Sequence, residues 1–370
     1  MEEGLPSGGP EVRMTPFLAA LILAPSSGWT SHRSSQENLG QAQSLKPPLK
    51  VLWKRTFDAM LDGSPAVLDS RVVVPVMDGS VVCLNLKNGQ TIWRFKSPSA
   101  FSASPLISGQ RVFIGDEGGE FHALSLENGR QLWKVATGDK IVSSAQASGR
   151  LIIFGSYDAQ VYAVNSDKGE VAWKAKTKAQ VHATPGLSGN RVIVAGCDGF
   201  VRSFNAQTGR AGFSVKLGGN HTTPPVILGD KILAANSDGE ISCVSLSKGR
   251  ALWRIGEKEE GAGVYAPMAA SGGRLLIPSR SRRVYALDPK TGRVAWTFPL
   301  RVQANGAPTI SGSLAWFGAD DGSLYAVDLQ SGKQVWKARL GSRLRTSAVI
   351  AGGRLLIGAE DGTLVCLGPA

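Results

Sequence analysis

The chain has 370 residues, of which 42% are hydrophobic, 19% charged and 7% aromatic, with 45 glycines; this is material for a large buried interior and excludes disorder along most of the length. With 41 Lys and Arg against 29 Asp and Glu, the formal net charge is +12, a bias towards anionic neighbours that is not in itself a site. The four cysteines, at 83, 197, 243 and 366, show no C-x-x-C spacing and no adjacent pair, which excludes a zinc ribbon and a disulfide framework.

The first candidate element is FLAALILAP at 17–25, too short to span a bilayer as a helix and of the length of the apolar part of a secretory signal. Glu2, Glu3 and Glu11 precede it, against Arg13 alone; translation from Met14 would remove that objection. The polar stretch that follows, SSGWTSHRSSQENLGQAQSLKPP, reads as a flexible tether. Residues 1–50 are therefore expected to be a signal-like segment and tether, and residues 51–370 a single domain. The expected location is the periplasm or cell envelope, with no cysteine before Cys83 to carry a lipid anchor.

From Trp53 onward one pattern returns. A large aromatic residue recurs at Trp53, Trp93, Trp133, Trp173, Phe213, Trp253, Trp296 and Trp336, at a period near forty that marks a propeller with one four-stranded blade per repeat. Around His182 the four strands read HATPGLS, RVIVAG, FVRSFNA and AGFSVKL. Asp-Gly at 78, 198, 238, 321 and 361 suits the tight hairpin between second and third strands, where Gly supplies positive φ, and needs no calcium there. In stretches such as ALDPKTGRVAW at 286–296, the third-position Asn, Asp or Ser bonds the backbone of the next turn, Gly reverses the chain, and Trp docks against the next blade.

Cys83, Cys243 and Cys366 take the small-residue position that opens this stretch, as small buried apolar groups. Arg130, Arg210, Arg250, Arg293 and Lys333 fall in its Gly-Arg or Gly-Lys step and read as a solvated rim in preference to a nucleic-acid surface. The final unit, RLLIGAEDGTLVCLG, stops without a Trp, and LKVLWKRTF around Trp53 supplies the missing outer strand. The expected fold is all-β: an eight-bladed propeller of four-stranded antiparallel blades, its ring closed by an N-terminal outer strand.

The motif A-x-D-x-x-x-G-x-x-x-W, fullest in Ala286, Asp288, Gly292 and Trp296, resembles the tryptophan-docking repeat of the quinoprotein alcohol dehydrogenase superfamily, from Trp53 to Leu367. The resemblance implies either a dehydrogenase using pyrroloquinoline quinone with calcium or a small member without enzyme activity, such as the propeller lipoprotein of the outer-membrane β-barrel assembly machinery. The enzymes resembled hold the quinone between a Trp and a ring formed by two adjacent Cys; this sequence has no such pair. The resemblance is therefore to the small kind. No catalytic residue, metal ligand or cofactor is assigned, and the expectation is a monomeric scaffold for an envelope or membrane protein partner, without a transmembrane span. A quinone or small-ligand binder and an electrostatic binder of anionic lipid or nucleic acid are the alternatives.

Propellers bind at the mouth of the central channel. Aligning the inner strands puts Asp62, Ser102, Val142, His182, Thr222, Val264, Asn305 and Arg345 at one register. Of these, Asp62, Ser102, His182, Thr222, Asn305 and Arg345 are the candidate binding residues, with small residues such as Ser64, Ser104, Ser144, Thr184 and Ser347 one step inward.

Overall fold

The computed structural model describes residues 28–256 and 263–370; the apolar run at 17–25 lies outside the described residues. Each repeat folds into four antiparallel strands in chain order. Blade 1 consists of Ala66–Leu68, Arg71–Val76, Ser80–Asn85 and Thr91–Lys96, and seven further sheets repeat the plan. Second and third strands are apolar on both faces because neighbouring blades cover both: Val72, Val73, Val81 and Val82 are all wholly buried. One such interface holds Val81, Cys83 and Trp93 of blade 1 against Val112, Ile114 and Leu124 of blade 2. Fourth strands alternate, turning Trp inward and its neighbours to solvent.

The inner strands are shorter than the sequence suggested. In blade 4 only Gly186–Ser188 pairs, not the whole of HATPGLS. Proline at 65, 105, 185, 225, 267 and 308 precedes most inner strands, and without an N–H it ends the ladder there.

The turns follow the expected chemistry. Asp78, Asp321 and Asp361 each accept, through Oδ1, the amide hydrogen bond of the residue two positions on, at 2.7, 2.9 and 3.0 Å. Asn85, Asp288 and Asp328 do the same for the following turn. In that turn the glycine carries the next contact: Gly209 has φ +69° and a Cβ there would lie 2.7 Å from the indole of Trp173, one blade back. Each indole thus lies on the glycine of the following blade's turn, and Trp53, Trp93, Trp133, Trp173 and Trp296 also donate Nε1–H to a carbonyl of that turn at 2.9–3.1 Å. Phe213 packs on Gly249 in the same way without the hydrogen bond.

Leu49–Thr56 pairs antiparallel with Thr363–Pro369 and completes blade 8 with Val349–Ala351 and Arg354–Gly358. The inner strands of blades 8 and 1 touch, so the ring is closed. Trp53 then docks on Gly89 of blade 1. Trp336 is the exception: blade 8 draws its third and fourth strands from opposite chain ends and has no such turn, and Trp336 packs instead beside the wholly buried Trp316, centroids 5.8 Å apart.

The expectation of a flexible tether is corrected from Gly28 onward. Residues 29–42 form a strap that circles the inside of the ring. Trp29 exchanges two backbone hydrogen bonds with Val67 of blade 1; the carbonyls of Thr30, Gln36, Glu37, Leu39 and Gly40 accept from Ile107, Leu187, Ile227, Ala270 and Ile310, in blades 2, 4, 5, 6 and 7. Gln36 reaches blade 3 through Nε2 and the Ala147 carbonyl, 2.7 Å, and Gln41–Ala42 adds a parallel strand to blade 7. The physical reason is the unpaired edge of every inner strand, which needs partners once it is shielded from water.

Candidate functional site

Strand direction sorts the connections. Turns between strands 1 and 2 and between strands 3 and 4 lie at one end of every blade, while the 2–3 hairpins and the crossings to the next blade lie at the other. The strap closes the channel at the first end, the strap face. The second end, the mouth, remains open, and between them lies a blind cavity of about 370 Å³.

The strap is anchored by two buried polar side chains. Arg33, with no exposed surface, donates Nη1–H to Ser347 Oγ at 3.0 Å and Nη2–H to the carbonyls of Met268 at 3.1 Å and Pro308. Burial pushes its pKa down to about 9. Gly40, at φ +64°, is where the strap passes over this guanidinium: a Cβ would meet Arg33 Nη2 at 2.0 Å. Asn38 donates from Nδ2 to the carbonyls of Pro185 and Pro225 and accepts from Gln146 Nε2.

Above the strap, the small residues of the inner turn are joined by hydroxyls. Ser64 Oγ accepts from the Ser347 amide, Ser104 Oγ from Ser64, and Ser144 Oγ from Ser104, each at 2.9 Å, and Thr184 Oγ1 accepts from Ser144 at 3.2 Å. This chain of bonds links blade 8 through to blade 4. The sequence showed small residues here, but their hydroxyls carry the blade-to-blade bonds; Pro224, Ala266 and Ala307 interrupt the series in the other blades.

The six candidate residues are brought together: Asp62, Ser102, His182, Thr222, Asn305 and Arg345 all line the cavity. His182 Nδ1 lies 2.7 Å from the Tyr157 hydroxyl, with Lys140 Nζ over the Tyr157 ring at 4.6 Å. Asn305 donates to Asp320 Oδ2 at 3.0 Å, and Arg345 to Glu360 Oε1 at 3.1 Å. Burial raises the pKa of Asp62, with Glu117 adding to the rise and Arg345 opposing it. Ser102 Oγ, Thr222 Oγ1, Asp320 Oδ1 and Arg345 Nε are buried without a protein partner, so the mouth has polar groups to offer. Tyr157, Lys140 and Glu117 also line it and were outside the candidate set, because they come from hairpins and crossings rather than from the inner-strand register; Tyr265, beside Val264 of that register, lines it too. His221, at the next position to Thr222, points into the blade interface, where Nδ1 meets the Ala235 carbonyl at 2.9 Å.

These histidines make stability depend on pH. Burial, and then the charge of Arg33, lowers the pKa of His32 on the cavity floor from 6.5 to about 3; burial is the first cause of the lowered values of His182 and His221 as well. Above 6.5 folded and unfolded chains are both neutral here. Below it the unfolded chain takes up protons that the fold refuses, so stability falls as pH drops towards 3. His32 is expected to contribute a loss of about 1–2 kcal/mol at pH 5. Urea midpoints at pH 7.5 and 5.0 should fall less in His32→Gln than in the parent; an equal fall would remove His32 from the account.

No adjacent cysteine pair stands at the mouth. Cys83, Cys243 and Cys366 are buried in the third strands of blades 1, 5 and 8, and Cys197 sits in the blade 4 hairpin, so no two are neighbours. Among the described residues, the one trio of His, Cys, Asp or Glu groups close enough to share a metal ion is Asp116, Glu120 and His122. It lies in the blade 2 hairpin and third strand. Asp116 is already saturated there by the amides of Gly118 and Glu120, by Ser97 Oγ at 2.7 Å and by His122 Nε2 at 2.9 Å.

A family model described as outer membrane protein assembly factor BamB matches residues 43–149, 122–258 and 237–370. Among solved structures, BamB from Moraxella catarrhalis is 18% identical, with a TM-score of 0.75, covering 87% of this chain and 100% of that one. A europium-containing methanol dehydrogenase is 12% identical, with a TM-score of 0.80, covering 94% and 98%. A quinohemoprotein alcohol dehydrogenase from Comamonas testosteroni is 13% identical, with a TM-score of 0.80, covering 95% and 82%. At such identities the structural likeness concerns the fold alone. No curated protein matches the sequence.

Proposed function

The chain belongs to the family described as outer membrane protein assembly factor BamB, a family of PQQ-like propellers, and from that premise we propose that it is a non-catalytic, monomeric scaffold of the cell envelope that engages a protein partner over its open channel mouth. The observation that carries this reading is the asymmetry of the channel: one end is sealed by the strap, and the other presents Asp62, Ser102, His182, Thr222, Asn305 and Arg345, with Ser102 Oγ, Thr222 Oγ1 and Arg345 Nε buried and unpaired. A partner loop entering the mouth would satisfy those atoms and exclude water from them. Export of the chain is part of the proposal. Among the described residues no helix is long and apolar enough to cross a membrane.

The test is photocrosslinking in the native host, with the crosslinker placed at Thr222 or Asn305 in the mouth and at Gln207 on the strap face. A discrete adduct with one envelope protein is expected from the mouth positions and not from Gln207. Absence of any mouth adduct, or a cytosolic product on fractionation, would sink the reading. Titration with pyrroloquinoline quinone and calcium should give no saturable absorbance change; saturation with dye reduction would put an oxidoreductase in its place.

A further inference from the structure

We propose that the strap face docks on an anionic lipid bilayer, leaving the mouth directed away from the membrane. The repeat sorts charge between the two faces. All seven turns between third and fourth strands carry a Lys or Arg, among them Lys87, Arg130, Arg210, Arg250, Arg293 and Lys333, all exposed. Seven of the eight blades place another cation at or beside the entry to the second strand. Together these turns hold sixteen Lys and Arg against seven carboxylates. At the mouth end, the 2–3 hairpins and the crossings together hold thirteen carboxylates against seven Lys and Arg among the described residues.

Most of the strap-face charge is not cancelled locally. Arg111 pairs with Asp167 at 2.8 Å, and Lys168 approaches Glu170 at 3.9 Å. Arg71, Arg191 and Arg354 instead donate to backbone carbonyls of the next blade's turn, at Glu127, Leu246 and Leu86, which fixes each guanidinium at the surface and leaves its charge in place. Cations spread over one face add up against a continuous anionic surface, where a single phosphate would meet only one or two.

The shape of the charged face selects a bilayer over a nucleic acid. The cationic turns are spread around one whole end of the ring, and a bilayer meets all of them at once, whereas a duplex, a narrow rod, would cross only part of the ring.

The experiment is flotation of the full-length chain with phosphatidylglycerol vesicles and with phosphatidylcholine vesicles. Binding is expected to the anionic vesicles and to fall steeply with salt. The triple variant K87E, R130E, R210E should lose roughly a hundredfold in partition. A control with the same change in net charge on the mouth side, K178E, R282E, R301E, should stay close to the parent. Equal losses in the two variants would reduce the effect to net charge and overturn the assignment of a face. Salt-insensitive binding to both vesicle types, or tighter binding to duplex DNA than to anionic vesicles, would overturn the proposal.

Discussion

Trp173→Ala is expected to lower the unfolding free energy by about 3–5 kcal/mol, and Trp336→Ala by roughly half as much, although the two occupy the same position in their repeats. Trp173 is 8% exposed, lies on Gly209 of the next blade and donates to the Ala206 carbonyl at 3.0 Å. Its loss leaves a cavity among Leu187, Val192, Val194 and Phe204 that two sheets cannot collapse to fill. Trp336 faces the one blade interface without a glycine turn and is half-buried beside Trp316, so less is lost and side chains can move in. Denaturant midpoints of the two variants, with a common slope, measure the difference. Equal costs would mean that indole burial alone matters and that the turn beneath it contributes nothing.

Arg33→Met should cost about 2–4 kcal/mol and release the strap. Methionine keeps most of the volume but leaves the carbonyls of Met268 and Pro308 buried without a donor, each worth about 1–3 kcal/mol. Part of this is offset, because a guanidinium without a carboxylate partner among the described residues no longer has to be buried. The release is read separately, by protease cleavage within residues 28–48, which should appear in the variant well below its unfolding midpoint. If the midpoint and the cleavage pattern both stay at the parent's, the strap is ornament to the ring and not part of it.

The ring was legible because it is periodic. Eight aromatic positions near forty residues apart, the Asp-Gly hairpins and the truncated last repeat led to eight blades and to the closing strand around Trp53. The register of Asp62, His182 and Arg345 was legible for the same reason, since equivalent positions of a repeat must face the same axis. The strap was not. Ser, Gln, Asn and Gly around Trp29 and Arg33 compose a segment that looks solvated, and no spacing shows that Arg33 or Asn38 is wholly buried. Their burial depends on the edges of strands far along the chain, a property of the assembled ring that no local window contains. The loop residues of the mouth escaped for a related reason: Tyr157 hangs from a 2–3 hairpin and Lys140 from the crossing between blades 2 and 3, whose reach the repeat does not specify.

Blade 8 also sets an order of events during synthesis. Leu49–Thr56 leaves the ribosome before any other full strand, yet its partner, Thr363–Pro369, is the last to be made. For about 300 residues of translation this strand, with Leu52 and Trp53, has nothing to pair with, and such an edge recruits wrong partners. The seven inner blades can form one after another from local contacts while the first strand waits. Closure is therefore a single late step, and a chain truncated anywhere near its C-terminus would keep seven blades and present two open edges to its neighbours. A holding chaperone on the early segment is the natural companion of such a design, and release factors that act before Cys366 has emerged would yield a product prone to aggregate rather than a slightly smaller ring.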